Sequence, residues 1–488
     1  MNFAEAMNSE TRRTQTTNGA LAINSTGDAL VDLFGSIGAL RNASENRIET
    51  LFTEAYNENP LSAMKILFYA RDIRGGLGER NTFRILIKYI ANNYPEALVD
   101  NIYLIPIFGR YDDLYCLIDT KLEDNMWEYM KSQFEQDLTD MKDGLPVSLL
   151  AKWIKTPDAS SPRTRNLGIK TALKMGYKVP FFKRRLKELR KYIDITEIHM
   201  CTNEWDKIDY STVPSRAMYI YKDAFIKHDY ARFEEFLNDT RTGVQKINAS
   251  TLYPYDLVSK YITHIRSKDD TIEALWKSLP NYIDEPQNIL VMCDTSGSMT
   301  MLNYRPLSSA IGLSIYFAER NTGEFHDMFM TFETEPHLIK IKGDTLYQKV
   351  HSVAEADWNG STNLQKAFLK VLSIAKDNGI KPEDMPRAII VISDMQIDEA
   401  DGISWTFYNS MKYEFKVSGY EIPDIIFWNV NSTSDVFHAD HDREGVQLVS
   451  GHSAVAFKNV IKCLGYNPVK AMNEVINDDR YSAITIRE

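Results

Sequence analysis

From residue 29 to residue 267 the apolar positions recur at helical spacing. Ile48, Leu51, Phe52 and Ala55 fall at i, i+3, i+4 and i+7, as do Ala63, Ile66, Leu67 and Ala70; each set is the buried stripe of one helix. Comparable stretches lie around 81–94, 125–141, 164–175, 180–192, 214–227, 229–239 and 254–266, each punctuated by Gly, Pro or Asn. Strand-like alternation is nearly absent, so 29–267 is expected to be an all-helical array of paired helices, without a sequence repeat of fixed period. Residues 1–28, rich in Asn, Thr and Ser, are expected to form a flexible leader, and 268–287 a polar connector with a helix inside it. Beyond it the pattern changes. The runs 288–293 (NILVMC), 388–393 (AIIVIS) and 425–430 (IIFWNV) are short and continuously apolar, as strands buried on both faces should be. Helical stretches near 306–320, 363–377, 404–418 and 453–464 separate them. This alternation predicts a parallel sheet with helices on both sides over 288–488, so the fold class is α + α/β.

A length of 488 residues fits the two domains this pattern divides. No run of about 18 apolar residues occurs, so no membrane-spanning helix is expected. The N-terminus lacks a basic stretch followed by an apolar one, so no signal peptide is expected. Cysteines stand far apart at 116, 201, 293 and 463 with no CxxC pair. They read as reduced thiols of an intracellular, cytoplasmic protein, not as a disulfide frame or a zinc site. The net charge of −11 is unevenly spread: Pro286–Glu488 holds 18 basic and 27 acidic residues, a balance of −9, which leaves −2 for the rest. Any anion-binding surface is therefore expected in the helical half.

The apolar strand NILVMC runs directly into Asp294-Thr295-Ser296-Gly297-Ser298. In doubly wound sheets, ligands bind at the carboxyl ends of the strands. A carboxylate followed by two hydroxyls at alternate positions offers three hard oxygens from one turn, with Gly297 expected to permit a sharp backbone path. Thr362, in Trp358-Asn359-Gly360-Ser361-Thr362, adds a hydroxyl, and the strand AIIVIS ends at Asp394. Two carboxylates and three hydroxyls suit Mg²⁺ or Mn²⁺ and not zinc. No GxSxG, P-loop or HExxH motif competes, and no enzymatic activity is expected. The cluster His438-Ala439-Asp440-His441-Asp442 is expected to be a solvated loop rather than a metal site.

In the helical half, Arg163 to Lys191 carries eleven basic residues against one acid, Glu188. Arg163, Arg165, Lys170, Lys183, Arg184, Arg185, Lys187 and Arg190 are the candidate phosphate contacts. Tyr177, Phe181, Phe182 and Tyr192 are interleaved and could stack on unpaired bases; the competing reading is a solvated helix face whose aromatics are core. In residues 70–80 (ARDIRGGLGER) the glycines read as a helix C-cap and turn. Its three arginines are expected to be structural partners of Asp72 and Glu79, or else to face a ligand.

The order Asp294-x-Ser296-x-Ser298, then Thr362, then Asp394 resembles the metal-ion-dependent adhesion site of von Willebrand factor A domains, which implies a Rossmann-like fold for 288–488. Both halves together resemble the TROVE-domain Ro ribonucleoproteins, in which HEAT-like helical repeats are closed by an A domain. A family seen in viruses and plants is more similar still, through residues 68–80 (FYARDIRGGLGER), 108–114 (FGRYDDL), 149–157 (LLAKWIKTP), 204–218 (EWDKIDYSTVPSRAM) and 247–258 (INASTLYPYDLV). The Ro resemblance implies binding of small structured RNA or single-stranded RNA ends. The A-domain resemblance implies capture of an acidic protein group at the metal, which alone would make the chain a scaffold without RNA.

Overall fold

Each continuously apolar strand must be covered on two faces, and that requirement organises the molecule. The computed structural model describes residues 11–487 except 248, 250, 264–266, 284, 332–334, 355–362 and 398–404. The C-terminal half holds a six-stranded mixed sheet: β3 (Ile289–Cys293), β4 (Met328–Thr331), β5 (Leu338–Lys340), β6 (Ala388–Ser393), β7 (Asp424–Asn429) and β8 (Val446–Ser450). The strand order is β5-β4-β3-β6-β7-β8, with β5 antiparallel to β4 and every other pairing parallel. Side chains alternate faces with period two. Thus Leu290, Met292, Ile389 and Val391 join one core while Ile289, Val291, Ile390 and Ile392 join another.

Those two cores recruit different parts of the helical half. The first runs from the helices between 29 and 193 into one sheet face, through helix Ala29–Ser36 laid against β8. The second gathers helices Ser215–Thr242, Pro254–Thr263 and Asp270–Lys277 with helix Met301–Arg320 on the other face. The helices begin where polar residues can cap them. Ser44 accepts from Arg47 N, and Asn59 accepts from Ser62 N just before Pro60. The stretches expected as separate helices at 214–227 and 229–239 form one helix broken at Asp229 (φ −147°, ψ 47°).

Two expectations need correction. The leader is not loose through residue 28: β1 (Arg13–Gln15) pairs antiparallel with β2 (Leu21–Ile23). Thr16 Oγ1 donates to Ile397 O, Thr17 N to Gln396 Oε1, and Ile23 bridges Phe437, so backbone pairing offsets the low apolar content. Nor is 438–442 a solvated loop. His438 is half-buried with its Nε2 3.1 Å from Met395 O, Asp440 pairs with Arg12, and His441 Nδ1 lies 2.9 Å from Thr26 O. The cluster is the joint that holds the N-terminal hairpin.

At the other end, the C-terminal segment returns to the helical half. Arg480 forks onto the buried Asp72, Tyr481 stacks on Phe108, and Arg487 pairs with Asp100.

Candidate metal centre and basic surface

Strands β3 and β6 are neighbours, and connections leave them toward opposite edges of the sheet. Such a reversal opens a crevice at the carboxyl ends of the two strands. Asp294 and Asp394 each follow one of these strands by a single residue, so the topology itself brings them together. Asp294 N donates to Ile392 O (3.0 Å), which ties the first loop to the end of β6. Asp294 is fully buried: its Oδ1 accepts from Ser296 N (2.9 Å) and its Oδ2 from Ser393 Oγ (2.5 Å). Ser296 Oγ and Ser298 Oγ lie 3.1 Å apart. Asp394, 2% exposed, accepts from Gln396 N (3.1 Å), and the nearby Ser298 hydroxyl acts to lower its carboxyl against burial.

Four of the five expected ligand residues therefore converge, and Thr362 lies outside the described residues. Ser393 was not anticipated; its signal was a polar residue closing an otherwise apolar strand. Gly297, expected to permit a sharp backbone path, is not what shapes the turn. It is exposed, a Cβ there would meet nothing within 4 Å, and its φ is not positive, so the turn does not require glycine. Burial first, and then the neighbouring Asp394, push the Asp294 carboxyl up to about 6. Burial raises Asp394 as well. Among the described residues no lysine, arginine or histidine pairs with either carboxylate. Two buried acids without a counter-charge are costly when ionised, and a hard divalent cation is the species their oxygen-rich surroundings would suit. Just after the Ser296–Ser298 turn in the chain, Met301, Leu302 and Tyr304 are 62%, 44% and 45% exposed.

The basic stretch forms helices Pro162–Lys174 and Val179–Ile193, and the structure divides its candidates. Lys170 pairs with Glu123, Lys183 with Asp158, and Arg185 with Glu188. Arg190 donates to the carbonyls of Ala151 and Ile154, and Arg165 to Ser160 O. Arg163, Arg184 and Lys187 are exposed and have no acidic partner among the described residues. Phe182 is core, packed on Phe134, whereas Phe181 is 36% exposed under the Arg184 and Arg185 guanidiniums. A serine–histidine contact, Ser309 Oγ to His452 Nδ1 at 2.7 Å, is sealed in the core at 1% and 3% exposure, so it presents no nucleophile to solvent.

In the glycine-rich turn, Leu77 N and Glu79 N donate back to Tyr69 O and Ala70 O. A Cβ at Gly76 would stand 2.1 Å from Tyr69 O, and Gly78 has φ +64°, so the tight return needs both glycines. The charges pair differently from expectation: Glu79 holds Arg41, Asp72 holds Arg480, and Arg71 and Arg80 reach Asp113 and Asp112.

Residues 16–142 and 147–286 match the family model described as a domain of unknown function, DUF2828. The chain belongs to this family. Residues 288–481 match a second model, the domain of unknown function DUF7788. An uncharacterised protein of Acanthamoeba polyphaga mimivirus is 27% identical over 503 residues, spanning 94% of this chain and 86% of that one. Among solved structures, the Ro (RSR) protein of Deinococcus radiodurans is similar over 94% of this chain and 100% of its own, with 13% identity and a TM-score of 0.48. Among the described residues no helix is long and apolar enough to cross a membrane.

Proposed function

We propose that the chain is a divalent-cation-dependent binding protein, not an enzyme, whose C-terminal half is of the von Willebrand A type. The observation that carries this reading is the pair of buried carboxylates, Asp294 and Asp394, at the reversal of strand order with no basic partner among the described residues. Asp294, Ser296, Ser298 and Asp394 would hold Mg²⁺ or Mn²⁺, with Thr362 as the fifth contributor. The cation, when bound, supplies an open coordination position for a carboxylate or phosphate of a partner. Met301, Leu302 and Tyr304, exposed just after the Ser296–Ser298 turn in the chain, supply apolar contact area for that partner. The test is a thermal shift on Mg²⁺ addition, compared between wild type and Asp294→Asn. Stabilisation confined to wild type supports the reading, and equal response of both removes it.

A second reading, Ro-like binding of small structured RNA or single-stranded RNA ends, is favoured by Arg163, Arg184 and Lys187. These three carry charge outward, with Arg184 over the exposed Phe181 ring. In this reading RNA lies on the helical half and the metal site engages a separate acidic group. Binding to a labelled RNA hairpin with a single-stranded tail, weakening steeply with salt, would support it. No binding at low salt would leave a cation-dependent protein scaffold.

A further inference from the structure

Three sequence segments far apart in the chain converge on one charged cluster that neither reading above uses. Arg71 closes helix Pro60–Arg71, while Arg80 and Arg84 stand at the start of helix Asn81–Asn93. Arg110, Asp112 and Asp113 come from the turn after helix Leu104–Phe108, and Trp153 and Lys155 from the end of helix Leu150–Trp153 and just beyond it. Asp113 is buried at 1% exposure. Its Oδ2 accepts from Arg71 Nε (2.9 Å) and Nη2 (2.8 Å) and from Arg110 N (3.0 Å), and its Oδ1 accepts from Arg84 Nε (2.6 Å). Asp112 Oδ2 lies 3.2 Å from Arg80 Nη2, 3.2 Å from Arg110 Nη2 and 3.0 Å from Arg84 Nη2.

The charges do not balance. Four arginines and Lys155 surround two aspartates, a surplus of three positive charges. Neighbouring acids are already engaged elsewhere: Glu79 with Arg41, Asp72 with Arg480, and Asp158 with Lys183. Burial, and after it the adjacent guanidiniums, hold Arg80 below the ordinary arginine value; burial also lowers Lys155, where Asp112 opposes and the three arginines add to the effect. Two aspartates could be neutralised by two arginines, so the remaining cations add repulsion without adding a partner.

The surplus charge also faces outward and is held still. Arg80, Arg84 and Arg110 side chains are 46%, 26% and 26% exposed. Arg110 lies over the Trp153 ring at 4.2 Å, and Asp113 fixes Arg84. Rigid, convergent guanidinium donors at a solvent face match the geometry of a phosphate group, whose several oxygens accept from planar forks. Helix Asn81–Asn93 adds to this: its N-cap is Arg80, which makes no side-chain cap, so its first-turn N–H groups contribute positive potential in the same place.

We propose that Arg80, Arg84, Arg110 and Lys155 form a binding site for a phosphate-class oxyanion, organised from beneath by Asp112 and Asp113. The anion neutralises the surplus charge and completes the hydrogen bonding of the outward-facing guanidiniums. Its phosphate can be free or part of a longer polyanion, and both present the same oxygens to the cluster.

The test titrates the full chain with inorganic pyrophosphate, and separately with a short single-stranded oligonucleotide. EDTA is present throughout and ionic strength is held constant with KCl, so the metal site plays no part. The expected result is saturable binding of at least one probe, weakened about tenfold by Arg80→Gln and by Lys155→Met and largely retained by Arg80→Lys. Far-ultraviolet circular dichroism should stay unchanged, because the buried Asp113 keeps its hydrogen bonds from Arg71, Arg84 and the Arg110 N–H. Pyrophosphate binding that depends on Arg80 assigns a free-anion site. Oligonucleotide binding alone, with the same dependence, assigns the phosphate of a chain. Binding of neither probe, or binding indifferent to both Arg80→Gln and Lys155→Met, overturns the proposal.

Discussion

Asp294→Asn offers the sharpest test of the two buried carboxylates, because it removes one charge and leaves the shape. The folded protein holds this carboxyl at about 6 against an ordinary 3.8. Between those values the folded state binds more protons than the unfolded one, so stability falls as pH rises through that window. Above it, without a cation, ionised Asp294 lowers stability by on the order of 3 kcal/mol. Asparagine carries no charge and keeps an oxygen to accept from Ser296 N. The variant in EDTA at pH 8 should therefore be more stable than wild type by roughly 1–3 kcal/mol, reduced by whatever the Ser393 hydrogen bond loses. Mg²⁺ at about a hundred times its dissociation constant should return roughly 2.7 kcal/mol to wild type and almost nothing to the variant. Urea unfolding followed by tryptophan fluorescence at pH 4.5 and pH 8, in EDTA and in Mg²⁺, reads all these differences. The difference between the two proteins isolates the one group from every other titration. If that difference were the same at both pH values, and Mg²⁺ stabilised both proteins alike, the reasoning from unpaired buried charge would be wrong.

Other consequences are open to simpler experiments. Joint replacement of Arg163, Arg184 and Lys187 by glutamate should weaken RNA binding at least about tenfold and flatten its dependence on salt; unchanged affinity removes the RNA reading. Arg480→Ala leaves the fully buried Asp72 without its cation and should cost about 3 kcal/mol in urea unfolding; a loss below about 1 kcal/mol would mean the C-terminal clasp is not structural. Gly297→Ala enters open space and should change stability by less than about 0.5 kcal/mol while preserving the Mg²⁺ response. A loss several times larger would mean the turn does need glycine.

Legibility in the sequence followed how many faces of an element are buried. NILVMC, AIIVIS and IIFWNV were readable as strands because both faces of β3, β6 and β7 are covered. β5 was not, since three residues at an exposed edge leave no pattern, and β8 carries the buried Gln447 in mid-strand. Helix stripes were readable wherever one face packs on a core, as at Ile48, Leu51, Phe52 and Ala55. The hairpin at 13–23 was missed because backbone pairing and long-range contacts hold it, and neither leaves a hydrophobic signature. The same limit applied to charge. Composition located the basic stretch 163–191 but could not show that Lys170 and Lys183 are committed to acids from elsewhere in the fold. It equally could not show that Arg71, Arg80, Arg84 and Arg110, scattered over forty residues, meet around Asp112 and Asp113. Asp294 and Asp394 were legible as partners because strand ends in an alternating α/β pattern must share one edge of the sheet.

Mn²⁺ binding followed by electron paramagnetic resonance reads directly whether these two aspartates hold a divalent cation. Wild type should take up a single Mn²⁺ per chain, displaceable by Mg²⁺, and Asp394→Asn should leave the Mn²⁺ free in solution while keeping its circular dichroism. Absence of binding by wild type, or full binding by the folded variant, would mean that Asp294 and Asp394 hold no cation.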